Sequence, residues 1–184
     1  MLRKALANHT RGLLSVMGKS NEWYTPTEII EPIQFFYDGL IDVDLASCID
    51  ANSTVKAQEY YTIDNPLPDD KSFYNTKIWC NPPYCNGVVK SWIERINRLA
   101  GNGNQIIILL NRSDAKWYYD FLDTHSGGYY QLRNRVKFID GETGERSSPR
   151  YNNDLIYWGN YPAKFRTMCY SSFGKPTPQS FFSL

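Results

Sequence analysis

The chain has 184 residues, of which 42% are hydrophobic and 15% aromatic, and its formal net charge is +1. That length suits one domain with a sizeable core and is short for two. No apolar run approaches the roughly 20 residues that a membrane-spanning helix needs, and the first residues contain no apolar stretch long enough for a secretory signal. We therefore expect an intracellular, cytoplasmic protein.

The near-neutral total hides an uneven distribution of charge. Residues 1–21 hold four bases and no acid, a net charge of +4. Residues 22–128 hold fifteen acids and eight bases, and residues 129–184 hold eight bases and four acids, net charges of −7 and +4. Two basic ends around an acidic middle favour a polyanionic partner held by the ends, although solvated terminal arms would give the same pattern. We expect residues 1–21 to form a basic N-terminal arm.

The cysteines and histidines do not form a metal-binding pattern. They are scattered along the chain: Cys48, Cys80, Cys85, Cys169, His9 and His125. A zinc site needs clustered ligands, so we expect no metal, and the thiols are expected to be free.

The first predicted element is a helix that begins near Thr25. Thr25 is expected at the cap, Pro26 at the first helical position and Glu28 three residues after the cap. Apolar residues follow at helical spacing up to Phe36, and Pro32 is expected to kink or interrupt the helix.

Short strands are predicted next. Residues 41–46 alternate between apolar and polar side chains, residues 56–63 give a second short strand, and residues 78–80 give a third. The proline-rich stretch 65–70 is predicted to be a loop.

The middle of the chain predicts helix, strand and helix in turn. Residues 88–99 place apolar side chains on one helical face, and glycines follow. The continuous apolar run 105–110 is typical of a central parallel strand covered on both faces. Ser113 or Asp114 can then cap a further helix, which carries Trp117.

The last third predicts strands joined by loops. Residues 129–132, 136–139 and 155–158 read as strands, whereas 140–153 reads as a long exposed loop and the chain after Tyr161 as irregular. The alternation of strands and helices predicts an α/β domain with a mainly parallel sheet, helices on both faces and an antiparallel edge.

The segment Asn81–Tyr84 lies where the strand 78–80 ends. Its two prolines remove backbone donors and fix φ, so the turn is stiff and presents one amide, free carbonyls and one aromatic ring. A merely structural, proline-rich turn would look the same. Ligands of parallel sheets, however, bind beyond the carboxyl ends of the strands, and the segment 44–47 is predicted to lie at another such end. This coincidence favours a functional site.

Such a turn suits chemistry on a nucleobase amino group. The amino nitrogen of adenine or cytosine is a poor nucleophile because its lone pair is conjugated into the ring. The Asn81 side-chain oxygen and the Pro82 carbonyl could accept its two hydrogens and favour a tetrahedral nitrogen, while Pro83 keeps the turn stiff. Tyr84 could stack on the base, which must be flipped out of a duplex to reach it. The protein would mainly position and polarise the reactants.

Four motifs in order carry a resemblance to a known family. They are Trp23-Tyr-Thr-Pro26, Asp44-Leu-Ala-Ser47, Trp79-Cys-Asn-Pro-Pro-Tyr84 and Asn134-Arg-Val-Lys-Phe138. Together they resemble the phage-encoded Dam-like DNA adenine methyltransferases, over roughly residues 21–160. The resemblance implies a Rossmann-like methyltransferase domain at 22–165 with an irregular tail at 166–184. It also implies S-adenosylmethionine as cofactor, methylation of the exocyclic amino nitrogen of adenine in double-stranded DNA, and a location in the host bacterial cytoplasm.

The same resemblance implies catalytic residues Asn81, Pro82, Pro83 and Tyr84, and a set of cofactor-binding residues. The cofactor set is Tyr24, Thr25, Pro26, Asp44, Ala46, Ser47 and Asp64. The first three would line the methionine end at a helix start, and Asp44 would receive the ammonium. Ala46 and Ser47 stand where the family usually has glycines. Asp64 would meet the adenine or ribose of the cofactor, although a solvated loop acid is the alternative.

For DNA recognition, the basic loop 140–153 is the main candidate. Arg135, Arg146 and Arg150 are expected to contact phosphates or base edges, with a surface cation or a mobile polar loop as the alternatives.

Two other functions stay open from the residues alone. A protein-glutamine or RNA methyltransferase shares the Asn81–Tyr84 pattern, and a non-catalytic DNA-binding module could keep the same fold.

Overall fold

A computed structural model describes residues 23–69, 71–84, 88–125, 127–148, 150–175 and 181–182. The strands are β1 (Trp23–Tyr24), β2 (Val43–Asp44), β3 (Glu59–Tyr60), β4 (Lys77–Cys80), β5 (Gln105–Asn111), β6 (Gly128–Gln131), β7 (Phe138–Asp140), β8 (Arg146–Ser147), β9 (Asn153–Trp158) and β10 (Phe181–Phe182). The helices are α1 (Thr27–Phe36), α2 (Ile49–Val55), α3 (Val88–Leu99), α4 (Lys116–His125) and α5 (Pro162–Phe173).

The main sheet has seven described strands in the order β10-β6-β9-β5-β4-β2-β3. Strands β3, β2, β4 and β5 are parallel, and β9, β6 and β10 add antiparallel pairs. The prediction of an α/β domain with a mixed sheet and an antiparallel edge is thereby confirmed. Strand β9 lies between β5 and β6 and is antiparallel to both, so β6, which the chain reaches through α4, runs in the same direction as β5.

Helices cover both faces of this sheet, as predicted. Along β5, alternate side chains point to opposite faces: Ile107 and Leu109 pack in one core with α1 and α5, and Ile106, Ile108 and Leu110 pack in the other with α3 and α4. These β5 residues are at most 1% exposed. Two buried faces explain why the whole run 106–110 is apolar.

A second, three-stranded sheet has the order β1-β7-β8. Strands β7 and β8 form a hairpin, since Asp140 Oδ1 accepts the backbone N–H groups of Glu142 and Thr143 at 2.9 Å each, and Gly144 adopts a φ of +69°. The prediction of a long exposed loop at 140–153 is therefore wrong for Asp140, for Arg146–Ser147 and for Asn153, which belong to strands, whereas residues 142–148 are exposed as predicted. The hairpin is held by cross-strand pairing that local composition does not reveal.

The start of α1 also differs from the prediction. The backbone N–H groups of Ile29 and Ile30 bond to the Pro26 carbonyl at 3.0 and 3.3 Å, so Pro26, not Thr25, is the N-cap. The helix then continues through Pro32 to Phe36 without interruption.

The largest correction concerns the C-terminal part of the chain. Residues after Tyr161 were expected to be irregular, but Pro162–Phe173 forms α5. Its apolar side chains Phe165, Met168 and Cys169 are buried, and Phe165 stacks on Tyr157 with ring centroids 5.1 Å apart. A small buried face on an otherwise polar segment is sufficient for a helix when a core is available to receive it.

The basic arm expected at 1–21 lies outside the described residues. Among the residues that are described, no helix is long and apolar enough to cross a membrane. In the same ranges, no group of three or more histidine, cysteine, aspartate or glutamate side chains could hold a metal ion.

Candidate active site

The two predicted site segments, 44–47 and Asn81–Tyr84, meet at the carboxyl ends of neighbouring parallel strands in the main sheet. Strands β2 and β4 are parallel neighbours, with Asp44 opposite Trp79, and the backbone N–H of Leu45 donates to the Trp79 carbonyl at 3.0 Å. Asn81 follows Trp79 by two residues, just past the carboxyl end of β4. The parallel pairing therefore brings the ends of β2 and β4 side by side.

The segment Asn81–Tyr84 is tied to the central strand by its aromatic residue. The Tyr84 hydroxyl lies 2.6 Å from Asn81 Oδ1 and 2.8 Å from the carbonyl oxygen of Leu109 in β5. The ring packs edge-on against Phe138, with centroids 6.5 Å apart. Pro82 is buried, whereas Asn81 is half-buried. The amide and the ring are thus held in one cluster.

The Tyr84 hydroxyl lies within hydrogen-bond distance of two acceptors but carries only one proton. A phenol carries one hydrogen, so it donates to Asn81 or to Leu109 at any moment, not to both. Burial, with a smaller contribution from Cys80, raises the pKa of Tyr84 well above its ordinary value. The hydroxyl therefore stays protonated, and the Asn81 oxygen can exchange it for another donor while the bond to Leu109 persists.

The N-terminal motif reaches the same place. Asn81 Nδ2 donates to the carbonyl of Trp23 at 3.4 Å, across 58 residues of chain. Thr25 is 5% exposed and Pro26 is also buried, while Tyr24 is half-buried and pairs with Ile139 of β7. The second sheet thus positions Tyr24, Thr25 and Pro26 beside the Asn81 turn.

Asp44 is a buried carboxylate, 1% exposed. Its Oδ1 accepts the backbone N–H of Ala46 at 3.2 Å. Burial raises the pKa of Asp44 to about 7, against the opposing effects of the Ala46 N–H and the Ser47 hydroxyl. No basic side chain forms an ion pair with it in the described part of the chain. A buried carboxylate with this environment suits a cationic ligand.

Asp64 follows β3, the strand that pairs with β2. It is exposed, in the loop after β3, at the outer edge of the sheet. Its proposed contact with a cofactor stays a prediction.

The three arginines predicted to contact DNA do not lie together. Arg146, in β8, forms an ion pair with Glu28 of α1. Arg135 and Arg150 instead line a pocket of about 230 Å³. The other lining residues are Arg112, Asp114, Tyr151 and Asn152.

Sequence reasoning missed the ion pair at the wall of that pocket. Arg112 Nε and Nη2 each lie 2.8 Å from Asp154 Oδ1, and the Tyr118 hydroxyl donates to Asp154 Oδ2 at 2.8 Å. Asp154 is fully buried, and that burial raises its pKa although Arg112 and Tyr118 lower it. The sequence offered two signals for this pair. Asp154 directly precedes the predicted strand 155–158, and Arg112 closely follows the predicted strand 105–110.

Comparison with known proteins agrees with the geometry. The profile of the family described as DNA N-6-adenine-methyltransferase (Dam) matches residues 16–173. The chain is also 26% identical over 152 residues to a protein of Escherichia phage T1 named DNA N-6-adenine-methyltransferase. That alignment covers 73% of this chain and 60% of the phage protein, so the chain spans about 60% of the length of this relative. Because the family profile covers well over half of the sequence, the chain belongs to the Dam family of DNA N-6-adenine-methyltransferases.

Proposed function

We propose that this protein transfers a methyl group from S-adenosylmethionine to the exocyclic amino nitrogen of adenine in double-stranded DNA. The observation that carries the proposal is the juxtaposition of the Asn81 turn and the buried Asp44 on neighbouring parallel strands. One segment offers acceptors for an amino group, and the other offers a carboxylate for a cation. Membership in the Dam family selects adenine over cytosine.

Asn81 is proposed to be the acceptor that activates the base. Its Oδ1 is within 2.6 Å of a hydroxyl that has a second acceptor, Leu109, already in place. An incoming amino N–H could therefore replace the Tyr84 hydroxyl on Asn81 without leaving that hydroxyl unsatisfied. The Pro82 carbonyl would accept the second N–H, and together they would direct the nitrogen lone pair toward the methyl group.

Tyr84 and Pro83 would then position the target base and would not stabilise charge on it. The Tyr84 hydroxyl, within 2.8 Å of the Leu109 carbonyl oxygen and 2.6 Å of Asn81 Oδ1, anchors the far end of its ring. A base that has been flipped out of the duplex could stack on such a ring with little loss of side-chain freedom. Pro83 contributes the fixed φ that keeps the turn in one shape.

The residues near Asp44 fit the proposed cofactor. S-adenosylmethionine supplies an electrophilic methyl group on sulfur when it is bound. Asp44 lacks a basic partner in the described chain and could bind the ammonium, while the small residues Ala46 and Ser47 leave room for a close backbone approach. The segment Tyr24–Pro26, in which Thr25 and Pro26 are buried, leads into α1 and would receive the carboxylate. Asp64 is proposed to contact the adenosine part.

The broader proposals follow from the same arrangement. We infer a Rossmann-like methyltransferase fold, because the site lies beyond the carboxyl ends of parallel strands in a doubly covered sheet. The proposed partner is duplex DNA, and the proposed location is the cytoplasm of a bacterial host. Arg135, Arg146 and Arg150 are carried forward as DNA contacts, with Arg146 the weakest because Glu28 neutralises it.

The test is a methyl-transfer assay with labelled S-adenosylmethionine. Unmethylated duplex DNA, RNA and a protein extract are offered separately, and the products are digested to nucleosides or amino acids. We expect label in N6-methyldeoxyadenosine only. Label in cytosine would contradict adenine as the target base. Label in RNA or protein alone would support an RNA or protein-glutamine methyltransferase, both of which share the Asn81–Tyr84 motif.

A calorimetric titration with the unlabelled cofactor separates enzyme from binding module. Binding of the cofactor is expected for the enzyme. A protein that binds DNA but neither binds the cofactor nor transfers label would be a non-catalytic member of the fold.

A further inference from the structure

The pocket lined by Arg112, Arg135 and Arg150 carries charge that the methyl-transfer chemistry does not use. Three of its six lining residues are arginines, and one, Asp114, is acidic. We propose that this pocket seats a backbone phosphate of the duplex DNA that the enzyme methylates. The inference rests on the proposed function, because it describes how that substrate is held.

Strand β5 links the pocket to the Asn81 turn. Arg112 directly follows β5, three residues beyond Leu109, whose carbonyl oxygen is 2.8 Å from the Tyr84 hydroxyl. At about 3.3 Å per strand residue, Arg112 lies about 10 Å along the chain from that contact. One DNA strand advances about 3.4 Å per nucleotide along the helix axis. A separation of this size corresponds to only a few nucleotides of one DNA strand.

The position of Arg112 is fixed before any ligand binds. Its guanidinium is bonded to the buried carboxylate of Asp154, and Nη2 also lies 3.3 Å from the carbonyl of Leu132. Tyr118 holds the other oxygen of Asp154. These bonds leave Nη1 of Arg112 without a hydrogen bond to the described residues. An arginine held this way offers a preorganised planar donor that suits phosphate.

Arg135 and Arg150 supply the charge that is open to solvent. Both are exposed, and the Arg150 guanidinium lies 5.7 Å from the ring centroid of Tyr151. Arg150 forms no ion pair with an acidic side chain of the described residues. With Asp154 counted beside Arg112, the arginines of the pocket still outnumber the acidic side chains by three to two, which favours an anion.

The contrast with Arg146 makes the assignment specific. Arg146 is just as basic and lies in the same basic segment, but Glu28 pairs with it and it does not line the pocket. The fold thus separates an arginine paired with Glu28 from a pocket in which three arginines face one acidic lining residue.

The experiment compares Arg135→Ala and Arg150→Ala with Arg98→Ala. Arg98 is an exposed arginine in the last turn of α3. This helix starts after the carboxyl end of β4 and runs back along the sheet, so Arg98 lies toward the opposite edge. Arg112 is left in place, because its removal would strand Asp154 as a buried, unpaired charge.

Dissociation constants for duplex DNA are measured by fluorescence anisotropy between about 50 and 200 mM salt. Loss of one phosphate contact should lower the slope of log affinity against log salt by about 0.9, and should do so for every DNA sequence. We expect this change in both pocket variants and no change in Arg98→Ala. Cofactor affinity should match the wild type in all three.

The outcomes distinguish the pocket from the proposed function. If the wild type methylates DNA but both pocket variants keep its salt slope, the pocket proposal is wrong and the function stands. An equal drop in Arg98→Ala would also overturn it, since the effect would then come from overall charge. A wild type that neither binds nor methylates duplex DNA, including one that binds only RNA, would overturn both.

Discussion

Single atoms at the Asn81 turn decide what this site can do. The Asn81 oxygen is shared with Tyr84, and the Tyr84 hydroxyl is shared with Leu109. A polar group with a second partner in reach can give up the first at little cost, because it is not left unsatisfied. The described geometry is therefore compatible with both a resting and a substrate-bound state of the same side chains.

Replacing Asn81 by alanine should remove turnover and spare cofactor binding. In the proposed mechanism the acceptor acts on the amino group of the base, so its loss should lower kcat by roughly 10²–10³-fold, the range found for removal of one preorganised polar group. Single-turnover methyl transfer and calorimetric cofactor binding would be measured together. Tyr84→Phe is the matched control, since it keeps the ring and the Asn81 oxygen and should lose less activity. Parallel loss of turnover and cofactor affinity would contradict the assigned role.

The raised pKa of Asp44 predicts how the stability of the protein depends on pH. Its pKa is about 7 in the folded protein and 3.8 in its ordinary state, so the folded chain binds this proton more tightly than the unfolded chain does. The contribution of Asp44 to stability is then fully present below about pH 3.8 and is lost as the pH rises through about 7.

Asp44→Asn does not ionise and should escape that loss. At about 1.4 kcal/mol per pKa unit, the variant should gain up to about 4 kcal/mol over the wild type above neutral pH and little in acid. Urea unfolding of both proteins across this pH range checks it. The same variant should bind S-adenosylmethionine more weakly, which separates the role in binding from the effect on folding. A stability difference that does not vary with pH would contradict the raised pKa.

At the scale of elements, α5 is the feature that the amino-acid pattern concealed. It packs on the same core as α1, where Phe165 meets Phe36 edge-on at 6.2 Å and stacks on Tyr157 at 5.1 Å. Phe165 is fully buried. The C-terminal helix is therefore part of the core that supports β9.

Phe165→Ala should cost about 3–5 kcal/mol of unfolding free energy, the usual range for removal of a buried phenylalanine. Thr167→Ala, an exposed position in the same helix, should change stability by less than about 0.5 kcal/mol. Chemical unfolding of both variants provides the measurement. Equal, small effects would mean that α5 does not belong to the cooperative core.

At the scale of the whole molecule, two sheets share one site. The main sheet supplies Asp44 and the Asn81 turn, while the second sheet contacts that turn through the Trp23 carbonyl and the Phe138 ring. The Arg146–Glu28 ion pair joins the hairpin of the second sheet to α1. Both partners are about half exposed, so this pair guides the orientation of the hairpin more than it stabilises the fold.

A double-mutant cycle with Glu28→Gln and Arg146→Gln should give a coupling energy of about 0.2–1 kcal/mol, and added salt should reduce it. Stability measured at low and high salt tests this. Arg146→Gln should leave the salt slope of DNA binding unchanged, because that charge is already neutralised. A slope reduced as in the pocket variants would make Arg146 a phosphate contact after all.

Local pattern was sufficient for the parts of the fold that depend on neighbouring residues. Periodicity identified α3 and β5 nearly to the residue, and prolines at a strand end identified the Asn81 turn. Local pattern was insufficient for elements whose stability comes from residues distant in the sequence. The helix α5 depends on Phe36 and Tyr157, and β8 depends on pairing with β7.

The amino-acid sequence by itself determined the α/β class, the position of Asn81–Tyr84 after a strand, and the resemblance that family membership confirms. These features reside in backbone propensity, apolar spacing and short motifs, which a linear chain displays directly. Only the tertiary structure decided which charges remain available. Arg146 meets an acid 118 residues away, and Arg112 meets Asp154 42 residues away. Electrostatic pairing depends on distance in space, which spacing along the chain does not specify.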